Sequence, residues 1–112
     1  YKPGQEVEAG SRFDNPIAGE MYRTRYWEDI KLEFAGTLAQ ECEKRGLAAA
    51  SVAVAWTLAQ PGITSAIIGA TRPDQLDANI AAVGLELGDE LKALCDDIWW
   101  QLPRVPVIDG YR

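Results

Sequence analysis

The sequence predicts an α/β fold: the C-terminal part of a larger parallel α/β protein, mostly helical and with one clear buried strand in this segment. Four segments show helical periodicity, and residues 63–69 form a short, apolar, β-branched run that is typical of a fully buried parallel strand. A strand needs partners for its backbone hydrogen bonds, and no second strand is predicted. The rest of the sheet is therefore expected outside these 112 residues. A compact all-helical domain with one extended segment is the alternative.

The N-terminal part of the chain is predicted to be a loop followed by one helix. Residues 1–20 contain prolines and glycines without a sustained apolar period, which favours a loop. The helix that follows has an apolar stripe made of Trp27, Ile30, Phe34, Leu38 and Cys42. It is expected to end at "EKRG", where Gly46 supplies a left-handed cap.

Two further helices are predicted on either side of the strand. The segment at residues 47–60 is apolar on nearly every side, as in a buried helix, and Pro61 and Gly62 stop it. After the strand, Thr71 and Asp74 form a possible capping box with Thr71 as N-cap. The inward face of the helix that begins there is expected to consist of Leu76, Ile80 and Val83.

The last predicted helix lies within residues 85–100. Its apolar side is expected to hold Leu91, Leu94, Cys95 and Ile98. Of Trp99 and Trp100, one is expected to pack and the other to be half exposed. The proline-bearing tail from residue 101 is expected to lie extended on the surface.

Composition excludes several classes of site. A net charge of −6 argues against a nucleic-acid binder. The chain has no histidine, which excludes a Ser-His-Asp triad, a Cys-His pair and a histidine zinc site within it. Cys42 and Cys95 fall on apolar helix faces and are predicted to be reduced core thiols.

Localisation is predicted from the apolar runs and the cysteines. The longest uncharged apolar run, residues 47–59, is shorter than the roughly 20 residues of a membrane-spanning helix. No membrane span is expected, and a soluble cytoplasmic protein is predicted. The first residue is not Met, which hints at a piece of something longer.

The stretch "AIIGATRPDQLDAN", residues 66–79, has the layout of a ligand site at a strand end. Gly69 lets a ligand approach the backbone, and Thr71 and Arg72 offer a hydroxyl and a guanidinium to an anion. Gln75 and Asn79 lie four residues apart, with amides suited to an adenine edge or a ribose. Alternatively, Thr71 is only a cap, Arg72 is only solvated, and the two amides only form the wet side of a helix.

The run that includes "AVAW", "GITSAIIGA" and "QLDAN" resembles the C-terminal signature of the aldo-keto reductases, the NADP(H)-using (β/α)8 barrel family that also includes potassium-channel β subunits. The resemblance covers essentially all of the chain. It implies that residues 1–112 are the C-terminal segment of a single TIM barrel domain, with a loop at 1–20 and helices, the last strand and the tail at 21–112.

The resemblance also implies a function. It is that of an NADP(H)-dependent aldo-keto reductase that reduces or oxidises carbonyl or alcohol substrates, with this chain supplying the adenosine 2′-phosphate and adenine side of the cofactor site. The implied cofactor-binding residues are Ile68, Gly69, Ala70, Thr71, Arg72, Gln75 and Asn79. Ala78 replaces an acidic residue that the family often uses near the adenine amino group.

The implied partners are NADPH, a small carbonyl substrate and the N-terminal remainder of the barrel. The family's catalytic Tyr, Lys, Asp and His lie in the first half of the barrel, so no residue of this chain is assigned a catalytic role. Two alternatives remain open: a non-catalytic barrel protein in which NADPH binding serves regulation, and a short helical interaction module.

Overall fold

The computed structural model of the protein describes residues 1–103. Within that range lie a 3-10 helix at Arg12–Asp14 and the helices α1 (Gly19–Tyr26), α2 (Asp29–Lys44), α3 (Ala49–Leu58), α4 (Pro73–Ile80) and α5 (Asp89–Gln101). The chain forms two compact units. The first comprises Tyr1–Gly36 with residues 101–103, and the second comprises Thr37–Trp100. None of the helices in the described range is long and apolar enough to cross a membrane.

The predicted buried strand at residues 63–69 is wrong. These residues adopt no regular secondary structure, and Ile67 is fully exposed, with Ile63 and Ile68 also classed as exposed. The apolar, β-branched pattern expresses a preference for burial, but a strand also requires backbone donors and acceptors on a neighbouring strand. Residues 1–103 offer no such neighbour, because every regular element among them is a helix. The α/β prediction is therefore corrected to a helical chain over this range.

The first unit is organised around the ring of Phe13. Phe13 is buried, and the rings of Tyr1 and Trp27 meet it edge to face at centroid distances of 5.1 and 4.8 Å. Gly19 begins α1 against the Phe13 carbonyl, where an added Cβ would lie 2.6 Å from the carbonyl oxygen. The Arg23 guanidinium donates to the same oxygen. The close approach accounts for glycine at the start of α1.

The helix predicted to follow the N-terminal loop is divided in two. α1 ends at Tyr26, and α2 begins at Asp29. The end of α2 is as predicted: Gly46 has a φ of 67°, and the N–H of Leu47 bonds to the carbonyl of Cys42. This is a left-handed glycine cap.

The core of the second unit contains both cysteines. Cys42, Val52, Leu91 and Cys95 are buried together, from α2, α3 and α5. Both thiols are free, as predicted. Burial raises the pKa of each thiol above the ordinary value of 9.0. The apolar side predicted for the last helix is confirmed for Leu91 and Cys95, which are buried, and for Leu94, which packs against this core. Ile98 is half-buried and is not part of the core.

A polar contact adds to the packing between α3 and α5. The Trp56 indole Nε1 donates to Asp96 Oδ1 at 2.8 Å. The Trp56 ring also lies 5.7 Å, centroid to centroid, from the ring of Trp99. Trp100 is more exposed than Trp99. The predicted tail begins at Gln101, which is still the last residue of α5, and residues 104–112 lie outside the described residues.

α4 contains no buried residue. The face predicted to point inward is instead exposed, at 46% for Leu76, 58% for Ile80 and 75% for Val83. The spacing of four and three residues identified an apolar face, but it could not indicate what that face would meet. α4 is attached through its other side, where the Ser51 hydroxyl of α3 donates to the Ala78 carbonyl at 2.6 Å.

Candidate functional site

The seven candidate residues form one continuous junction within the second unit. Ile68, Gly69, Ala70, Thr71 and Arg72 lead into α4, and Gln75 and Asn79 lie on it. The two amide side chains of α4 are half-buried, whereas the residues before the helix are exposed. The fold thus presents the leading segment to solvent and leaves both amides partly covered.

Gln75 folds back onto the leading segment. Both the backbone N–H and the hydroxyl of Thr71 donate to Gln75 Oε1, at 2.9 and 3.0 Å. Because a backbone N–H is always a donor, the oxygen of the amide must face Thr71. The two Nε2 donors of Gln75 make no hydrogen bond within the part of the chain that the structure describes.

The prediction that Thr71 is the N-cap of this helix is wrong. The N-cap is Arg72, with extended backbone and no side-chain cap hydrogen bond, and Pro73 occupies the first turn. Proline favours the first helical position and biases the preceding residue towards extended backbone. Pro73 therefore sets the start of α4 one residue later than the capping-box pattern indicated.

Asn79 reaches the same segment from one turn further along α4. Its Nδ2 donates to the Gly69 carbonyl at 3.4 Å, a long and therefore weak hydrogen bond. An added Cβ at Gly69 would meet nothing within 4 Å, so packing within the described chain does not require glycine there. The structure thus brings Gly69 and Thr71 together with the two amides. Ile68 and Ala70 make no hydrogen bond to any described residue.

Arg72 is paired with Asp74, for which the capping-box pattern indicated only a role at the start of the helix. Arg72 Nε and Nη2 donate to the two carboxylate oxygens of Asp74 at 3.1 and 3.0 Å. Hydrogen bonding from Arg72 holds the pKa of the Asp74 carboxyl below its ordinary value, and the same bonds raise the pKa of Arg72. Opposite charges on either side of Pro73 were the signal in the sequence that could have indicated this pair.

The chain belongs to the aldo/keto reductase family, whose family model matches residues 7–99. Membership in this family suggests that this helical chain is a fragment of a TIM barrel. The matched range includes the whole junction described above.

Two curated relatives are similar to part of the chain. "Uncharacterized oxidoreductase YrpG" of Bacillus subtilis is 40% identical over 58 residues, which are 52% of this chain and 18% of that protein. "Norsolorinic acid reductase stcV" of Emericella nidulans is 40% identical over 53 residues, 47% of this chain and 14% of that protein. The matched stretches are thus less than a fifth of either relative. No solved structure matches the chain.

Proposed function

We propose that this chain belongs to an NADP(H)-dependent aldo/keto reductase and supplies the part of the cofactor site that holds the adenosine 2′-phosphate and the adenine. The observation that carries the proposal is the family match over residues 7–99, within which the junction before α4 gathers several of the candidate residues. NADPH, when bound, supplies a hydride to a carbonyl carbon. The proposed substrate is a small carbonyl compound, or an alcohol in the reverse direction.

The charge distribution supports an anion site at Arg72. Arg72 is the one basic residue between Arg45 and Lys92 in the sequence, so it is the cationic side chain that this stretch of the chain offers to an anion. Its side chain is 63% exposed, and a guanidinium presents parallel donors that match a phosphate. The adjacent Thr71 hydroxyl is a second donor for the same phosphate when it turns away from Gln75 Oε1, which the Thr71 backbone N–H continues to hold. The first turn of α4 adds backbone N–H groups.

The two amides of α4 match the polar groups of an adenine. Thr71 uses the oxygen of Gln75, which leaves the Nε2 donors for an adenine ring nitrogen. Asn79 donates through Nδ2, which leaves its oxygen to accept from the adenine amino group. Ala78 contributes no carboxylate to this contact. The open space at Gly69 allows the nucleotide to approach the backbone.

The variant Arg72→Ala tests the 2′-phosphate role. Charge-assisted hydrogen bonds contribute about 1.5–3 kcal/mol, so NADP⁺ should bind roughly 10- to 100-fold more weakly. NAD⁺ lacks the 2′-phosphate, and its affinity should barely change. Titration calorimetry on the full chain with both nucleotides measures the two effects.

Lys92→Ala is the matched control, because it removes a positive charge from α5 of the same unit, a helix that contributes none of the candidate residues. It should leave both affinities as they are. Equal losses of NADP⁺ and NAD⁺ affinity in Arg72→Ala would refute the role of Arg72. Carbonyl-dependent oxidation of NADPH tests the reductase activity separately, since a protein that binds NADPH without oxidising it would be a regulatory binder.

A further inference from the structure

We propose that Asp74 competes with the 2′-phosphate for Arg72, so that Asp74 limits how strongly the site prefers NADP(H) over NAD(H). This inference rests on the proposed function. It concerns a residue that lies beside the candidate cofactor contacts without being one of them. The ion pair between Arg72 and Asp74 carries the inference.

The pair occupies one edge of the guanidinium that can bind a phosphate through two parallel N–H donors. Arg72 uses Nε and Nη2 on the two oxygens of one carboxylate, which is the forked geometry that guanidinium groups also offer to phosphates. A phosphate that binds this edge must displace Asp74. Both side chains are largely exposed, at 63% and 68%, so the exchange requires no repacking of the core.

Asp74 also occupies backbone N–H groups at the start of α4 that would attract an anion. Its pKa is lowered chiefly by Arg72 and further by the backbone N–H groups of Asp74 and Gln75 at the start of α4. These are among the N–H groups that an anion at the helix start would use. The carboxylate is therefore charged at neutral pH, and a phosphate at this position meets both an occupied guanidinium and a like charge.

The expected effect is modest because the groups are exposed to solvent. Exposed ion pairs have small net interaction energies, so Asp74→Asn should tighten NADP⁺ binding about two- to fivefold. NAD⁺ binding should stay unchanged, because its ribose 2′-hydroxyl is neutral and does not compete with Asp74 for the Arg72 guanidinium. Asn is well tolerated near a helix start, so the variant should fold.

The experiment is titration calorimetry on the full chain with NADP⁺ and NAD⁺ at low ionic strength, where exposed charges are least screened. Asp77→Asn is the matched control: it removes the same charge from α4, and the Asp77 carboxylate makes no ion pair with the described residues. The expected result is a gain for NADP⁺ in Asp74→Asn that exceeds any gain in Asp77→Asn. Equal gains in the two variants, or no gain in Asp74→Asn, would overturn the inference.

A double variant separates competition from simple repulsion. In the Arg72→Ala background there is no guanidinium to release and only the like charge of Asp74 remains, so Asp74→Asn should improve NADP⁺ binding clearly less than it does in the unaltered chain. A gain of the same size in that background would overturn the competition for Arg72. If the unaltered chain shows no preference for NADP⁺ over NAD⁺, the proposed function fails and this inference fails with it. If the preference exists and is lost in Arg72→Ala, only the Asp74→Asn result decides the inference.

Discussion

Ser51→Ala should loosen the attachment of α4 to α3 within the second unit. Ser51 is the one buried polar residue among residues 1–103, with 5% of its surface exposed. Its hydroxyl donates to the Ala78 carbonyl at 2.6 Å. The neighbouring carbonyls at the end of α4 accept from backbone N–H groups of residues 81–83, so Ser51 supplies the donor for the remaining one.

The magnitude follows from leaving that carbonyl without its donor. Losing one partner of a buried hydrogen bond costs about 1–3 kcal/mol of the free energy of unfolding. Ala78 is only half-buried and water can reach it, which places the loss near the lower end of that range. For a unit of this size, the melting temperature should fall by roughly 4–8 °C per kcal/mol.

Urea unfolding followed by tryptophan fluorescence measures the loss, since Trp56 and Trp99 lie in the same unit as Ser51. Amide hydrogen exchange should accelerate in α4 more than in α5. Thr57→Ala is the control, because that hydroxyl bonds only to the Ala53 carbonyl within its own helix, and its removal should change stability by less than about 0.5 kcal/mol. Equal stabilities of Ser51→Ala and Thr57→Ala would refute the reasoning.

Two other predictions concern the glycines of the first unit and the buried thiols. Gly19→Ala places a Cβ against the Phe13 carbonyl and should cost about 1–3 kcal/mol, whereas Gly36→Ala meets no atom within 4 Å and should stabilise α2 by about 0.5–1 kcal/mol. Changes of the same sign in thermal unfolding would contradict this. Cys42 and Cys95 should react with a thiol reagent far more slowly in the native protein than in guanidinium, and equal rates would contradict their burial. Burial raises the pKa of both thiols, so the thiols of the unfolded chain ionise at a lower pH than those of the folded chain. The free energy of unfolding that the two neutral thiols contribute is therefore complete below pH 9.0 and is lost as the pH rises past it.

Two parts of the fold that depend on local sequence were predicted correctly. The glycine cap at Gly46 follows from one residue type and its backbone preference. The buried side of α5, with Leu91 and Cys95, follows from a strong periodic pattern in a long helix. Both features are decided within a few turns of chain.

Two parts that depend on distant partners were predicted wrongly. Residues 63–69 look like a strand by composition, but backbone pairing is not a local property. The prediction for the apolar face of α4 failed for the same reason, since Leu76 and Ile80 are exposed despite their spacing. Periodicity identifies a face, and only the rest of the structure decides what lies against it.

The candidate junction contains one feature that the sequence predicted and one that it did not. The spacing of Gln75 and Asn79 predicted that they share α4, and the structure places both there. Their hydrogen bonds with Thr71 and Gly69 depend on the path of the leading segment, and the sequence did not indicate that path. The displaced N-cap was readable in principle from Pro73, because proline at the first helical position is a recognised start signal.

The exposed segment at residues 63–70 also affects how the chain behaves in concentrated solution. It is eight residues long, contains no charge and no proline, and includes three isoleucines, of which Ile67 is fully exposed. Short uncharged β-branched windows of this kind stack readily into cross-β assemblies. Pro61 on one side and Arg72 on the other act as gatekeepers, and removing either should raise the tendency of the chain to form fibrils.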